Sequence, residues 1–244
     1  MLKILRSDAA GKNPRFRKAP RKPKEDNLAW LARNLPSDSK LSSLVLIGGR
    51  SPCSFRLRVA QSHLRDDLTP SHWSHALLLG KGSDKLSDRS TYEISLEPAI
   101  GFGYPPAANA VQEGKLSAYR DKQQYPNIAV IEVPVAVAKL EKHLQKFQSQ
   151  RAVLDALELL VAWLAYVWGV GRAANPLMDG MGIPSAAMIE VVVGAAEYEL
   201  TPGLASRSSC PEAIWQSALW WYEYYEKAKH QRLSGSWCVD HKIL

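Results

Sequence analysis

Short apolar runs with the length of β-strands are confined to residues 41–135 of this 244-residue chain, and helical periodicity dominates the residues after 135. The strand-like runs lie at 41–49, 73–80, 90–100 and 127–135. The helical stretches lie at 136–149, 151–170, 185–199 and 211–230, with shorter ones at 25–35 and 52–68. Strands followed by helices are typical of an α+β domain in which helices pack on one mainly antiparallel sheet. We therefore expect an α+β fold.

The positive charge of the chain is concentrated at its beginning. The whole chain carries +7, and residues 1–24 contain nine lysines and arginines against the single acid Asp8, a net +8 that leaves about −1 for the other 220 residues. The mixture of prolines and charges predicts a disordered tail at 1–24 and a folded domain at 25–244. Such a tail would contact a polyanion through salt-screened interactions without sequence specificity.

The cysteines do not form a disulfide framework. Cys53, Cys210 and Cys238 are odd in number and widely spaced, and the chain has no CxxC pair. This pattern predicts free thiols rather than disulfides or a zinc site, and we expect neither a metal nor a cofactor.

Membrane and export signals are weak. The opening MLKIL is too short for the apolar region of a secretory signal peptide. The most apolar stretch, 159–171, has 13 residues without a charge, whereas a membrane span needs roughly 20. We therefore expect no transmembrane span. We also expect the chain to be cytoplasmic in the producing cell, or exported by a specialised secretion system that needs no signal peptide.

The stretch SSCPE at 208–212 has the pattern of a helix start. Ser209 as N-cap and Glu212 three positions later fit a capping box, and Pro211 suits the first turn. Cys210 would then lie at a helix N-terminus, where the partial positive charge favours a thiolate and hence a nucleophile. A small apolar residue at a helix end is the structural alternative. For Cys53 and Cys238 we expect structural roles.

A cysteine nucleophile needs a base, and His75 is the best placed histidine because it begins an apolar strand. The next strand carries Glu93 and Glu97 on one face, and either carboxylate could orient the imidazole. A buried structural histidine and a solvated strand face are the alternatives. The long Gly/Pro/Ala-rich loop from Gly101 to about Tyr125 is expected to cover a cleft beside these strands.

Three motifs, SHALLLG, SLEPAIGFG and CPEAIW, occur in this order and together resemble the circularly permuted branch of the NlpC/p60 papain-like superfamily. That branch includes amidase-like proteins and the lecithin:retinol acyltransferase group. The resemblance covers roughly residues 41–228 and implies a papain-like α+β fold. It implies Cys210 as nucleophile, His75 as general base, and Glu97, chosen over Glu93 because it directly precedes the turn, as the group that orients His75.

The resemblance also implies a function. We expect a cysteine hydrolase that cleaves a peptide or peptidoglycan-type amide bond through a thioester acyl-enzyme. A role as a secreted antibacterial effector, with an immunity or delivery protein as partner, is compatible with it. Two alternatives stay open: a thioesterase or acyltransferase acting on lipids, and a non-catalytic interaction module that binds a polyanion through its basic tail.

Overall fold

A seven-stranded sheet forms the centre of the protein in a computed structural model. The structure describes residues 15–35, 40–97, 111–149, 156–169, 172–225 and 233–240. The strands are β1 (Phe16–Lys18), β2 (Leu41–Gly48), β3 (His75–Leu79), β4 (Ser90–Glu93), β5 (Gln112–Lys115), β6 (Asn127–Ala136) and β7 (Ser234–Cys238). The helices are α1 (Asn27–Asn34), α2 (Pro52–Ala60), α3 (Val137–Ser149), α4 (Ala156–Val167), α5 (Pro184–Ala195) and α6 (Pro211–Tyr225).

The sheet is mixed and mainly antiparallel. Its strand order is β1-β7-β6-β2-β3-β4-β5, and β1 alone pairs in parallel, with β7. Strand β2 lies near the middle and pairs antiparallel with both β3 and β6. The expected α+β class with helices packed on one sheet is therefore confirmed.

Alternate residues of the central strands enter two separate apolar cores. Leu44 and Leu46 of β2 lie in the helical core, which also receives side chains from α2 to α6. Val45 and Ile47 lie in the α1 core, together with side chains of α1 such as Trp30. Because both faces are covered, β2 is buried along nearly its whole length and its sequence is continuously apolar from Leu44 to Ile47.

The fold begins earlier in the chain than the charge pattern predicts. Residues 1–14 of the predicted tail lie outside the described residues, but residues 15–24 are part of the fold. Phe16 of β1 is 2% exposed and meets the ring of Trp215 at 5.7 Å between centroids. The Arg21 guanidinium donates to the Pro126 carbonyl and to the Asn27 side chain, each at 2.6 Å. The described fold therefore includes residues that precede the predicted domain start at residue 25, and Arg21 among them has structural partners.

Replacing Phe16 with alanine tests this boundary. Removing a fully buried phenylalanine leaves a cavity between the sheet and Trp215, and we expect the free energy of unfolding to fall by about 3 to 5 kcal/mol. Arg17 on the same strand is exposed, so Arg17→Ala should change it by less than about 0.5 kcal/mol. Urea unfolding followed by tryptophan fluorescence measures both. Equal, small losses for the two variants would place β1 outside the cooperative fold.

The predicted loop at 101–125 also contains regular structure. Residues 98–110 lie outside the described residues, but Gln112–Lys115 form edge strand β5 and Leu116–Tyr119 form a 3-10 turn. Leu116 and Tyr119 are buried in the α1 core. This part of the expected loop therefore belongs to the folded core, because its apolar side chains pack with Leu77 and Leu79 of β3.

One apolar segment has the length and composition of a possible membrane span. It covers Pro176–Ala195, and 61% of it is buried inside the protein. In the fold it comprises a 3-10 turn at Pro176–Asp179 and helix α5, whose side chains Ala186, Ile189 and Val193 are fully buried in the helical core.

Candidate active site

A histidine and a carboxylate form a close pair at one end of the sheet. His75 is the first residue of β3 and Glu93 is the last residue of β4. The His75 Nε2 and the Glu93 Oε2 are 2.6 Å apart, and both side chains are largely buried. With Nε2 donating to Glu93, Nδ1 is the ring nitrogen that remains for a reacting group. This is the arrangement in which a carboxylate orients a catalytic imidazole.

Tyr119 completes this pair from the opposite side. Its hydroxyl donates to Glu93 Oε2 at 2.5 Å, and its ring is stacked on the His75 ring at 6.2 Å between centroids. Burial raises the pKa of Tyr119 well above its usual value, so the hydroxyl stays protonated and remains a donor. Glu93 Oε2 thus accepts two hydrogen bonds, which hold the carboxylate in place for His75.

Glu97 does not orient His75, contrary to the sequence prediction. Strand β4 ends at Glu93, and the following residues leave the pairing with β3 and run toward α2. Glu97 accepts hydrogen bonds there from the hydroxyls of Ser51 and Ser54, the latter at 3.0 Å. Glu93 and Glu97 share a face as predicted, but only Glu93 lies within the paired strand that faces His75.

A cleft of about 490 Å³ opens where the pairing of β3 with β4 stops. Its walls include His75, Glu93, Glu97, Cys53, Ser54 and Tyr125. The volume is within the range of small-molecule and substrate sites in proteins. The cleft therefore brings a histidine-carboxylate pair and a cysteine to one surface.

Cys53 occupies the first turn of α2. Ser51 is the N-cap, with its hydroxyl accepting from the Ser54 N–H at 3.0 Å, and Pro52 is the first helical residue. The helix N-terminus favours a thiolate at this position. Burial and the nearby charge of Glu97 act in the opposite direction and raise the pKa of Cys53 to about 12. The resting thiol is therefore neutral and becomes a nucleophile only when a base removes its proton.

Sequence reasoning assigned Cys53 a structural role, although its context carries a usable signal. SPCSF contains an N-cap serine followed by a first-turn proline, as in the helix start predicted for SSCPE. Cys53 also follows closely on the paired glycines that end the β2 run, which places its helix at the end of the sheet. Both features can be read from the amino-acid sequence.

Cys210 does begin a helix, but it does not enter the cleft. Helix α6 starts at Pro211, and the Cys210 carbonyl accepts from the Ile214 N–H at 3.0 Å, so Cys210 is the cap rather than the first helical residue. It is fully buried in the helical core. Cys53 also belongs to the helical core, but it lines the cleft together with His75, whereas Cys210 is not among the residues that line it. The predicted pair of Cys210 with His75 is not formed.

The predicted capping box is also replaced by other contacts. Ser209 directs its hydroxyl to Glu190 at 3.2 Å, and Glu212 accepts from the Ser71 hydroxyl at 2.6 Å. Burial dominates at Cys210 and raises its pKa to about 12. Cys53 is also buried, at 4% exposed, and its pKa is raised to a similar value, so the difference between the two thiols is that Cys53 lines the cleft and Cys210 does not.

The described parts of the chain contain no group of three or more His, Cys, Asp and Glu side chains that could hold a metal ion. Comparisons of the chain with models of protein families, with curated proteins and with solved structures gave no match. What the protein does is therefore inferred from the geometry of the cleft.

Proposed function

We propose that this protein is a cysteine-dependent hydrolase of amide bonds, with Cys53 as the nucleophile and His75 as its base. The observation that carries the proposal is the cleft, which is lined at once by a first-turn cysteine and by a histidine already bound to a carboxylate. A nucleophile, a base and an orienting group are the three parts that such catalysis requires.

The reaction begins with proton transfer. His75 Nδ1 accepts the thiol proton of Cys53 as the sulfur attacks the carbonyl carbon of the substrate. The imidazolium is stabilised by Glu93, and it returns the proton to the departing amine as the C–N bond breaks. Water then hydrolyses the thioester with His75 again acting as base. The backbone N–H of Cys53, in the first turn of α2, has no intrahelical acceptor and serves as one oxyanion donor.

The neutral resting thiol determines when the proton moves. Because burial and Glu97 disfavour the thiolate, a stable thiolate-imidazolium pair is not the resting state. Proton transfer to His75 is instead coupled to attack on the bound substrate. The position of Tyr119 and Glu93 behind His75 supports this role, since Glu93 favours the charged imidazole that forms during the step and Tyr119 holds Glu93 in place.

The proposal changes the relation to papain-like enzymes. The catalytic order Cys53, His75, Glu93 runs from nucleophile to base, as in papain itself, whereas the permuted branch has the reverse order. A cysteine-bearing helix that begins beside a sheet carrying the histidine supports a papain-like arrangement. The substrate class, a peptide or peptidoglycan-type amide, is carried over from the sequence resemblance, whose CPEAIW motif no longer supplies the nucleophile.

Alkylation by iodoacetamide tests which thiol the cleft exposes. In the native protein we expect Cys53 to react at least about tenfold faster than Cys210, because Cys53 lines the cleft and Cys210 is fully buried. His75→Gln should slow the alkylation of Cys53 by removing its proton acceptor. Mass spectrometry of tryptic peptides gives the alkylation rates of Cys53 and Cys210. The same measurement on denatured protein gives the ratio of the two rates without the fold. A faster native reaction at Cys210 would disprove the assignment.

A further inference from the structure

The wall of the cleft next to Cys53 carries a carboxylate, Glu97, of which one oxygen has no donor among the described residues. Glu97 Oε1 accepts from both Ser51 and Ser54, which fixes the orientation of the group. Within the described part of the chain no donor reaches Oε2, and no lysine or arginine forms an ion pair with Glu97. Glu97 lines the cleft and its Oε2 is not among the buried atoms without a partner, so this oxygen is open to a donor from water or a ligand.

Within the described residues no cationic side chain pairs with Glu97, whose serine partners lie at the N-terminus of α2. Lys115 lines the cleft, but its Nζ lies 3.3 Å from Asp88 Oδ1. Glu93 adds a second carboxylate, and its donors Tyr119 and His75 occupy Oε2. The side of the cleft that faces Cys53 is therefore acidic, and a cationic group on a substrate would be attracted to it.

We infer that the cleft selects substrates carrying a primary ammonium group close to the scissile amide, and that Glu97 is the residue that binds this group. An ammonium can donate to Glu97 Oε2 while the two serines keep Oε1. Glu97 is thus a specificity residue of the proposed hydrolase site, and the inference rests on that proposed function for its link to catalysis.

Binding of the ammonium group would also promote the reaction. Burial is the main cause that raises the pKa of the Cys53 thiol and of the Tyr125 hydroxyl, and the charge of Glu97 adds to the rise in both. A cation bound to Glu97 cancels much of the part due to this charge, so the thiol loses its proton more easily in the complex than in the free protein. The correct substrate would in this way favour its own attack.

Binding to the full-length Cys53→Ala protein tests the inference without hydrolysis. The probes are Nα-acetyl-lysine N-methylamide, alanine N-methylamide with its free α-ammonium, and Nα-acetyl-norleucine N-methylamide, which has no charge. We expect NMR titration to show about tenfold tighter binding of at least one ammonium probe than of the neutral probe. The better of the two identifies a side-chain or an N-terminal ammonium as the natural group.

Glu97→Gln in the same background should remove this preference. The glutamine amide oxygen can still accept from Ser51 and Ser54, so the variant keeps the local hydrogen bonds. Glu113 on β5 is exposed, and its side chain does not line the cleft, so Glu113→Gln is a control with the same change in net charge. Equal affinity for all three probes, or a preference unchanged by Glu97→Gln, would overturn the inference.

The ammonium-binding inference and the proposed hydrolase function can each be rejected without rejecting the other. A Glu97-dependent ammonium preference together with slow alkylation of Cys53 would keep the binding site and reject the hydrolase mechanism. Rapid, His75-dependent alkylation of Cys53 without an ammonium preference would do the reverse.

Discussion

Replacing Cys53 with alanine should reduce amide hydrolysis by at least about a thousandfold, whereas Cys210→Ala should leave the rate per folded molecule within about twofold. The nucleophile forms the thioester, and no other thiol lines the cleft within the described part of the chain. Cys210 contributes packing in the helical core, so its replacement affects stability instead. Release of fragments from peptide and peptidoglycan-derived substrates, followed by mass spectrometry, measures both rates.

Substitutions of His75 and Glu93, the two proposed partners of Cys53, give the matched controls for the Cys53 variant. His75→Gln should cause a loss similar to that of Cys53→Ala, and the double variant should lose little more, because residues that act as one unit are not additive. Glu93→Gln should retain more activity than either, since it weakens the orientation of His75 without removing the base. If Cys210→Ala abolished hydrolysis and Cys53→Ala preserved it at equal folded protein, the nucleophile predicted from the sequence would be restored.

The hydrophobic periodicity of the sequence predicts the strands that carry the site better than it predicts which side chains on them contact each other. The strand containing His75 is present, the strand predicted at 90–100 is present but ends at Glu93, and both carboxylates line the cleft. The choice between Glu93 and Glu97 depended on where β4 stops pairing. In the pairing of β4 with β3, Tyr92 lies opposite Leu78 and Thr91 lies opposite Leu79. Beyond this pairing, serine hydroxyls at the start of α2 donate to Glu97. Those hydroxyls are distant in sequence, so a strand pattern does not reveal them.

Local sequence patterns do not show which of the two helix-start cysteines lines the cleft, because both are buried. Both SPCSF and SSCPE carry serine and proline at a helix start, and the difference lies in what packs over each cysteine. The N–H groups of Gly182 and Ile183 donate to the carbonyls of Arg207 and Ser209 at 2.7 and 2.8 Å, which places the start of α5 over Cys210. A side chain at Gly182 would lie 2.3 Å from the Ser209 carbonyl oxygen, so this close approach requires glycine.

Glu190→Gln should stabilise the protein at pH 8 by up to about 3 kcal/mol and change its stability little near pH 4. Glu190 on α5 is 5% exposed, and burial raises its pKa from 4.5 to about 7. Below its unfolded pKa the carboxyl is neutral in both states, so no penalty arises. Between about pH 4.5 and 7 the unfolded chain ionises first, and above this range folding must bury the charge. The free energy of unfolding of the wild-type protein therefore falls as the pH rises through this range.

Glutamine is a suitable replacement because its oxygen can accept from Thr201 and Ser209, which donate to Glu190 at 2.6 and 3.2 Å. The buried Glu212 is the same in both proteins, so its own titration largely cancels in the difference. Glu158→Gln on the exposed face of α4 is the control and should give a small difference at every pH. Urea unfolding at pH 4, 6 and 8 measures the free energies. A Glu190→Gln effect that is destabilising and independent of pH would show that the two hydroxyls stabilise the carboxylate enough to offset its burial.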